Sequence, residues 1–374
     1  MLYSTPALAD RDRQVLGEVD DLREQLRRRV QGAPAKWTAV LRKSLTADAV
    51  AASNSIEGFK VSAIDVEDLI AGESDVDVSD ENRAETLAYQ HLMTYLQTQH
   101  DAPDFQFSKG QLNALHWMLQ GHRHTARKPA GQWRAGPVYV TDPGNPRIAA
   151  YTAPDADIVA DLMSELIDWL NAPTDDHPLV RAAMAHLHLV SIHPWCDGNG
   201  RMSRSLQTLM IARAGVIAPE FSSIEAWLGR SLNTWEYYKV LGRLGPSYQP
   251  DGDATEWLRF NLLAYHQQAQ TVRARFDQSS RVWAMLEGSV ADERMVSALH
   301  DVAVSGRVRR SRYGASEGLS VQQAQRDLKA LAQQGVLAPV GRTRARYYIE
   351  GDNFPADVLE VARRPFSLVD PYRR

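Results

Sequence analysis

The stretch His193-Pro-Trp-Cys-Asp-Gly-Asn-Gly-Arg-Met-Ser-Arg204 decides how this chain is interpreted. Two glycines flank Asn199 just before a helical pattern, and glycine lets backbone N–H groups come close to an anion. The first turn of the following helix adds positive potential. Arg201 and Arg204 are three residues apart, so they share a helix face and can grip two phosphates together. The stretch therefore predicts a polyphosphate site.

Two more side chains in this stretch supply chemistry. Asp197 is a hard oxygen ligand beside the predicted cradle, which suits a Mg²⁺ ion that bridges phosphates. His193 ends the preceding helical pattern, and the ordinary histidine pKa of about 6.5 suits a general base near neutral pH. Together, the phosphate cradle, the metal ligand and the base indicate phosphoryl or nucleotidyl transfer. Cys196 occupies the same stretch, and we assign it no role.

Most of the remaining sequence shows helical periodicity of its apolar residues. The predicted helical segments are 12–30, 47–59, 63–71, 81–97, 109–120, 155–170, 178–190, 199–214, 233–241 and 254–269. Ser79 and Ser108 are placed to cap two of these helices. The segments 137–141 and 147–153 instead predict two strands around a turn. An isolated hairpin is not stable in water, so we expect it to lie against the helices, beside the site.

The character of the sequence changes near its C-terminal end. From Arg281 onward we predict a separate small domain in which a helix, capped by Ser320 and ended by Gly335, precedes two strands at 336–340 and 344–349. That order is typical of a winged helix-turn-helix. The basic residues between positions 306 and 348 are Arg307, Arg309, Arg310, Arg312, Arg326, Lys329, Arg342, Arg344 and Arg346. Such a surface could contact DNA phosphates, and the same fold also serves for protein docking or dimerisation.

Composition limits the classes of protein that fit. The chain has 374 residues, of which 44% are hydrophobic and 24% charged, which excludes a disordered or collagen-like protein. Its net charge of −4 is not that of a generally basic nucleic-acid binder. A single cysteine excludes an internal disulfide framework. Without an apolar run long enough to span a membrane or a signal-peptide pattern, we expect a cytoplasmic protein with no membrane partner.

The stretch from His193 to Arg204 resembles the HPFx(D/E)GNGRxxR signature of the Fic family, with Trp195 where the family most often has Phe. Gly131-Gln-Trp-Arg134 is similar to the family's GxxR, and the hairpin at 138–151 to its flap. The resemblance covers roughly residues 35–270. It implies a mainly α fold with a Fic-type helical bundle core and a β-hairpin flap, plus the C-terminal winged helix-turn-helix domain. The implied regions are an N-terminal helical region at 1–104 with an inhibitory helix near 47–60, a core at 105–270 and a winged-helix-like domain at 275–374.

The resemblance also implies a reaction, because Fic proteins typically move AMP from ATP to a protein hydroxyl and release pyrophosphate. ATP would be the co-substrate and Mg²⁺, held by Asp197, the cofactor. His193 would deprotonate a Ser, Thr or Tyr hydroxyl of a target protein, which could be this chain itself. The implied ATP-binding residues are Gly198, Asn199, Gly200, Arg201, Arg204, Tyr237 and Tyr238, and the target-docking flap residues are Val138, Tyr139 and Val140. The Asn199 side chain would help to stabilise the growing charge. Core packing explains the two tyrosines equally well.

An upstream segment, Ser53-Asn-Ser-Ile-Glu57-Gly58, resembles the inhibitory [ST]xxxE[GN] pattern of the family. On a helix, Ser53 and Glu57 are four residues apart and share a face. The resemblance implies that Glu57 pairs bidentately with Arg204 and takes the place of the γ-phosphate. The sequence thus predicts an adenylyltransferase that inhibits itself.

Other functions stay open at this point. The same fold could remove AMP, or transfer UMP, phosphate or phosphocholine, and the chain could instead be a DNA-binding regulator that senses ATP. A metal hydrolase built on His186, His188 and His193 is disfavoured, because helical positions 186 and 188 point about 200° apart. The two histidines are predicted to pack or to support other residues. Apolar faces near the N-terminus could form a homodimer, although ordinary core packing explains them equally.

Overall fold

The computed structural model of this protein describes residues 1–33, 35–142, 145–215, 218–290, 292–341 and 346–373. Helices dominate these ranges. The α-helices found there are α1 Asp10–Gly32, α2 Ala35–Ile56, α3 Ala63–Ile70, α4 Asp80–Gln99, α5 Lys109–Gln120, α6 Val159–Asn171, α7 Pro178–Ile192, α8 Asn199–Arg213, α9 Pro219–Ser222, α10 Glu225–Leu228, α11 Ser231–Arg243, α12 Thr255–Leu286, α13 Met295–Ser305, α14 Arg310–Glu317, α15 Val321–Gln333 and α16 Ala356–Arg363. The prediction of a mainly α fold with one hairpin ahead of the central motif is confirmed.

Five strands in the same ranges form two small sheets. The strands are β1 Tyr139–Asp142, β2 Asn145–Thr152, β3 Val308–Arg309, β4 Leu337–Val340 and β5 Tyr347–Glu350. β1 and β2 form the predicted hairpin, and the other three form an antiparallel sheet in the order β3-β5-β4.

Helix caps explain why several helices begin where the sequence predicts. The backbone N–H groups of Asn82, Gln111 and Gln323 each donate to a serine Oγ at 3.2 Å. These serines are Ser79, Ser108 and Ser320. Two predicted boundaries were wrong: α2 begins at Ala35 rather than near 47, and α12 continues to Leu286 rather than ending near 269. In both cases tertiary packing extends a helix beyond its most amphipathic part.

The helices α7 and α8 form the centre of the molecule. Nearly every residue of α7 is buried. One apolar cluster joins this pair to its neighbours, with Val50 of α2, Leu92 of α4, Leu112 of α5, Leu189 of α7 and Leu206 of α8. The segment between α7 and α8 is therefore fixed at one end of a rigid helix pair.

The hairpin lies against this same end of the helix pair, as the sequence predicts. The Tyr151 hydroxyl donates to the carbonyl of Ser191, near the end of α7, at 2.6 Å. The backbone N–H of Thr152 donates to the carbonyl of Pro246 at 2.8 Å. Register shifts interrupt the pairing of β1 with β2 after Val140. These contacts hold β2, and through it the hairpin, beside the end of α7.

The C-terminal region shares a core with the N-terminal helices. A second apolar cluster contains Trp37 of α2, Phe276 of α12, Leu299 of α13 and Leu328 of α15. The predicted boundary between 270 and 275 falls inside α12, which runs from the core into this region without a break. The winged-helix assignment stays a prediction, and residues 342–345, which include part of its predicted turn and the start of its second predicted strand, lie outside the described residues.

Several arginines predicted to contact DNA lie instead in a buried ion-pair network with α3. Arg309 Nε and Arg307 Nη2 each donate to Asp68 Oδ2 at 2.6 Å. The network comprises Asp65, Glu67, Asp68 and Asp301 against Arg307, Arg309 and Arg312. The DNA-contact prediction was wrong for these three arginines, because their charges are already paired inside the chain. For the exposed residues Arg310, Arg326, Lys329 and Arg346 it stays a prediction.

The apolar face of α1 is packed inside the chain. Val15, Leu16 and Val19 are buried in a cluster with Leu258 and Tyr265 of α12. Core packing therefore accounts for this face, which gives no support to a homodimer. Within the described ranges, no helix combines the length and the apolar character that crossing a membrane requires.

Candidate active site

The loop after α7 begins with a strained residue. His193 has φ 52° and ψ 57°, and it is the one non-glycine residue with positive φ in the described ranges. Such a conformation is costly and persists only where neighbours hold it. Here Arg134, of the GxxR segment, donates from Nε to the carbonyl of His193 and from its backbone N–H to that of Pro194, both at 2.8 Å. Arg134 thus fixes the direction in which the chain leaves α7.

The His193 imidazole is oriented from the helix side. Its Nδ1 lies 3.1 Å from the carbonyl oxygen of Val190. A carbonyl can only accept, so Nδ1 carries the proton and Nε2 keeps its lone pair. Burial lowers the pKa of His193, and Arg134 lowers it further although the Val190 contact opposes the shift. The imidazole is therefore neutral at neutral pH, as a general base must be.

Asn199 closes the loop on itself. Its Oδ1 accepts from the backbone N–H of Trp195 at 3.0 Å, and its Nδ2 donates to the carbonyl of Trp195 at 2.9 Å. The expected contribution of the Asn199 side chain to charge stabilisation stays a prediction, because Nδ2 carries a second N–H besides the one used within the loop. Trp195 is fully buried and stacks on His116 at 4.6 Å, so both rings are structural.

Gly198 and Gly200 bring the backbone at the start of α8 close to other groups. Gly198 has φ 76°, and its N–H donates to Asp197 Oδ1 at 2.7 Å. A Cβ on Gly200 would lie 2.5 Å from Glu57 Oε1, so the Glu57 carboxylate sits directly against the helix N-terminus. The first N–H groups of a helix lack intrahelical partners and attract anions. The Glu57 carboxylate therefore lies where the start of a helix can bind an anion.

The structure brings Arg204 together with Glu57 and Ser53, which lie 147 and 151 positions earlier in the sequence. Arg204 Nη2 donates to Glu57 Oε1 at 2.8 Å, and Arg204 Nε donates to Ser53 Oγ at 3.0 Å. The contact with Glu57 is a single hydrogen bond rather than the expected bidentate pair. Arg204 Nη1 is buried with no partner among the described residues. Burial alone would lower the pKa of Arg204, but the carboxylate of Glu57, together with Tyr237, Tyr89 and Glu225, outweighs burial and the pKa is raised.

Arg201 is held by a residue that the sequence analysis missed. Arg201 Nη1 pairs with Glu85 Oε2 at 2.5 Å, and both side chains are buried. Arg201 Nε is a second buried donor without a partner in the described part of the chain. A signal for Glu85 exists in the sequence, since it shares helical spacing with the buried residues Tyr89 and Leu92 of α4. A carboxylate on an apolar face needs a cationic partner.

The two predicted nucleoside-pocket tyrosines differ in position. Tyr237 is buried, and its hydroxyl is 3.0 Å from His186 Nε2. The structure therefore favours core packing for Tyr237 and for His186. Tyr238 is 39% exposed, and its hydroxyl donates to the carbonyl of Ile56 at 3.3 Å. Tyr238 therefore lies at the edge of the site, beside the end of α2. His188 is buried against the rings of two aromatic residues.

Asp197 is the one predicted metal ligand. Its side chain is 39% exposed, and Oδ2 lies 3.6 Å from Lys128 Nζ. Across the described ranges, no group of three or more potential ligand residues could hold a metal ion on its own. A single exposed carboxylate does fit Mg²⁺, which usually keeps one or two carboxylates and takes its other ligands from phosphates and water. Asp197 could therefore hold a Mg²⁺ ion that arrives with a nucleotide.

The predicted flap residues follow an alternating pattern. Tyr139 is 55% exposed, whereas Val138 and Val140 are partly buried. Among the described residues β1 pairs only with β2, so its outer edge offers unpaired backbone groups. Such an edge can accept a further strand.

Comparison with known proteins finds similarity to one family over the part of the chain that contains the site. Residues 106–211 match the model of the Fic/DOC family. The chain is 38% identical over 111 residues to the protein adenylyltransferase Fic of Drosophila willistoni, which covers 28% of this chain and 20% of that protein. It is 25% identical over 263 residues to the protein adenylyltransferase Fic of Nematostella vectensis, covering 68% and 55%. The chain thus spans about one fifth to about half of the length of these relatives.

Solved structures resemble the fold over a larger part of the chain. A Fic family protein from Desulfovibrio desulfuricans G20 superposes with a TM-score of 0.60 at 21% identity, covering 93% of this chain and 98% of that one. Fic-1 (aa134–508) from C. elegans superposes with a TM-score of 0.56 at 21% identity, covering 72% and 73%. These likenesses agree with the predicted Fic-type helical core.

Proposed function

We propose that this protein is a protein adenylyltransferase that transfers AMP from ATP to a Ser, Thr or Tyr hydroxyl and is inhibited by its own Glu57. The match of residues 106–211 to the Fic/DOC family model supports the proposal. One observation carries the proposal. The Glu57 carboxylate lies against Gly200 at the start of α8 and accepts a hydrogen bond from Arg204. The loop that leads into α8 begins with His193, whose imidazole is neutral.

His193 would act as the general base. With Nδ1 bound to the Val190 carbonyl, Nε2 is the atom that can take the proton of the acceptor hydroxyl. The hydroxyl oxygen then forms a bond to the α-phosphorus, and the bond from that phosphorus to the bridging oxygen breaks. Pyrophosphate leaves with the electron pair of that bond. The imidazolium later gives up its proton to solvent.

The phosphates would bind at the N-terminal end of α8. The first N–H groups of the helix and the unpartnered guanidinium donor Arg204 Nη1 match the oxygens of a polyphosphate, whereas Arg201 is already paired with Glu85. Asp197 would hold Mg²⁺ there, and the ion would neutralise part of the charge on the phosphates. Preorganised donors of this kind stabilise the charge that develops on the leaving pyrophosphate.

Glu57 would inhibit by occupying one phosphate position. Its Oε1 is within hydrogen-bond distance of Arg204, and a negative charge there repels the terminal phosphate of ATP. A triphosphate that binds despite this charge would be shifted, so its α-phosphorus would be out of line with His193. Misalignment by about 1 Å can cost about 100-fold in rate.

The hairpin would dock the target protein. A segment of the target that pairs with the outer edge of β1 would be held by backbone hydrogen bonds, with little reading of its side chains. Contacts from Tyr151 and Arg134 tie the hairpin to both sides of His193. A hydroxyl on the docked segment would therefore be held at a fixed distance from the imidazole.

The test uses ATP labelled at the α-phosphate, Mg²⁺ and the full chain. We expect Glu57→Gly to raise the transfer of label to protein strongly and His193→Ala to abolish it. Glu317→Gly is a matched control, because Glu317, like Glu57, lies at the end of a helix directly before a glycine with positive φ, but in α14. Intact mass should show the gain of AMP rather than of phosphate. Equal labelling of the parent and Glu57→Gly would show that Glu57 is not inhibitory.

Removal of AMP is a second candidate function. The Glu57 side chain is 27% exposed, so its carboxylate could orient a water molecule toward a phosphorus bound at the loop. Incubation of an AMP-modified protein with the parent chain separates the two candidates. Release of AMP that is lost in Glu57→Gly would support removal, and no release would leave transfer as the activity.

A further inference from the structure

We propose that Glu85 is a positioning residue: its carboxylate fixes Arg201 as the support on which the inhibitory segment Asn54–Phe59 rests. The inference deepens the proposed function and rests on it, since this segment carries Glu57. It assigns the two arginines of the loop different tasks, whereas their spacing in the sequence predicts equal ones.

Both oxygens of the Glu85 carboxylate accept from arginines. Oε2 pairs with Arg201 at 2.5 Å, while Oε1 accepts from Arg123 at 2.9 Å and lies 3.1 Å from His122 Nε2. The side chain has no exposed surface. Burial raises the pKa of Glu85, but the charge and the hydrogen bond of Arg201, together with the contact to His122, outweigh burial and the pKa is lowered. Glu85 is therefore charged at neutral pH and holds Arg123 and Arg201 in place.

Arg201, held by Glu85, contacts the inhibitory segment at both of its ends. Its Nη1 donates to Asn54 Oδ1 at 3.3 Å, and its guanidinium lies 5.5 Å from the centre of the Phe59 ring. The guanidinium of Arg123, the other arginine held by Glu85, lies 5.5 Å from the same ring. Contacts of a cation with an aromatic face are favourable at such distances. Both ends of the segment therefore rest on cations that Glu85 holds.

Glu57 lies between these two anchored positions. The backbone N–H groups of Glu57 and Phe59 both donate to the carbonyl of Asn54 at 3.0 Å. A shift of Asn54 or Phe59 would therefore move the Glu57 carboxylate away from Arg204. The partly exposed Glu57 can exchange with a phosphate, whereas the buried Glu85 cannot leave without stranding Arg201. Arg204 is the arginine that changes partner, and Arg201 is the support.

The first experiment compares Glu85→Gln with Asp80→Asn. Asp80 lies in the first turn of α4 and is exposed, so its change is a matched control on the same helix. Hydrogen exchange of the amides at 57–59 reports the support directly, whether or not the chain transfers AMP. We expect exchange at least about five-fold faster in Glu85→Gln, the effect of losing about one contact of this kind, and no change in the control. Unchanged exchange in Glu85→Gln would overturn the proposal.

The second experiment is a double-mutant cycle on AMP transfer. Glu85→Gln should raise the rate of the parent chain but leave kcat and KM for ATP unchanged in the Glu57→Gly background, because the inhibition it weakens is already absent there. A change of KM of similar size in both backgrounds would show that Glu85 acts on nucleotide binding and would refute the proposal. Absence of transfer in Glu57→Gly itself would instead count against the proposed function, and hydrogen exchange would still decide the role of Glu85.

A milder change protects the test against unfolding. Phe59→Ala removes the ring between the two arginines and leaves the buried Glu85–Arg201 pair intact. It should accelerate exchange at 57–58 and raise transfer in the same direction as Glu85→Gln. Phe105→Ala is its control, because Phe105 is also partly buried and meets an arginine, Arg213, at 4.3 Å but lies away from α2. Activation by both phenylalanine variants, or by neither, would contradict the inference.

Discussion

A substitution outside the signature offers a sharp test of the inhibitory contact. Gly229, which follows α10, packs against α2 at Ala52, the residue before Ser53. A Cβ on Gly229 would lie 2.5 Å from the Cβ and 2.9 Å from the Cα of Ala52. Because Gly229 has φ −70°, alanine is compatible with its backbone, and the only obstacle to Gly229→Ala is the neighbouring helix. The change should push α2 away from α10.

The size of the displacement follows from these distances. Ordinary contact between carbon atoms needs about 3.5 Å, so the two helices must separate by roughly 1 Å. If the end of α2 moves by that amount, the 2.8 Å hydrogen bond from Arg204 to Glu57 is lengthened beyond the usual range. Overpacking of this kind costs about 1–3 kcal/mol. If most of that strain is relieved when α2 moves, the uninhibited population rises by about five- to a hundred-fold.

The assay is AMP incorporation from labelled ATP, with the melting temperature measured in parallel. We expect Gly229→Ala to raise the rate within that range without changing any residue of the loop. Gly17→Ala is the control, since Gly17 is exposed in the middle of α1 and a Cβ there meets nothing within 4 Å. The control should keep its rate and gain stability by about 1 kcal/mol through better helix propensity.

Two results would refute this reasoning. A fall in melting temperature with no rise in rate would mean that α10, rather than α2, absorbs the strain. A further increase of the rate when Gly229→Ala is added to Glu57→Gly would mean that the substitution acts on catalysis directly. Equal rates for Glu57→Gly with and without Gly229→Ala are the expected outcome, because both changes then release the same inhibition.

Two further predictions concern stability. Asp68→Ala should lower the free energy of unfolding in urea by about 3–5 kcal/mol, because it leaves the buried Arg309 unpaired. Loss of the exposed Glu360 side chain should change that free energy little. Similar losses of stability for the two variants would contradict a structural role of the Asp68–Arg309 pair. Burial raises the pKa of Glu225 to about 7, although Arg204 opposes the shift. The protonated carboxyl therefore contributes stability that is complete below the unfolded pKa of about 4.5 and is lost as the pH rises through 7. Glu225→Gln should therefore gain stability relative to the parent between pH 5 and pH 8, by up to about 3 kcal/mol, and a difference that does not depend on pH would show that Glu225 is not the titrating group.

The parts of the fold that the sequence predicts well depend on short-range interactions. Helix starts at Ser79, Ser108 and Ser320 follow from a side chain that caps a backbone group three residues later. The loop from His193 to Arg204 is contiguous, so its chemistry can be inferred without knowing the fold. The hairpin at 138–151 also follows from local turn residues and alternation.

The parts that were missed depend on where distant helices meet. Glu85 and Arg201 are 116 positions apart, and only the packing of α4 on α8 makes the carboxylate a partner of the arginine. The arginines near position 309 look like a basic surface in the sequence, because the acidic residues that neutralise them belong to α3. The continuation of α12 to Leu286 was missed for the same reason, since its last turns are fixed by packing against the C-terminal helices.

The strength of the inhibition is set largely outside the loop that carries the chemistry. The segment with Glu57 is supported on one side by Arg201 and Glu85 and is packed through Ala52 against Gly229. It continues into α3, which Asp68 ties to the C-terminal region. Each support can be weakened without altering His193 or any phosphate-binding group. Two chains with identical signatures can therefore differ widely in basal rate, and the comparison that explains the difference is between their supports rather than between their signatures.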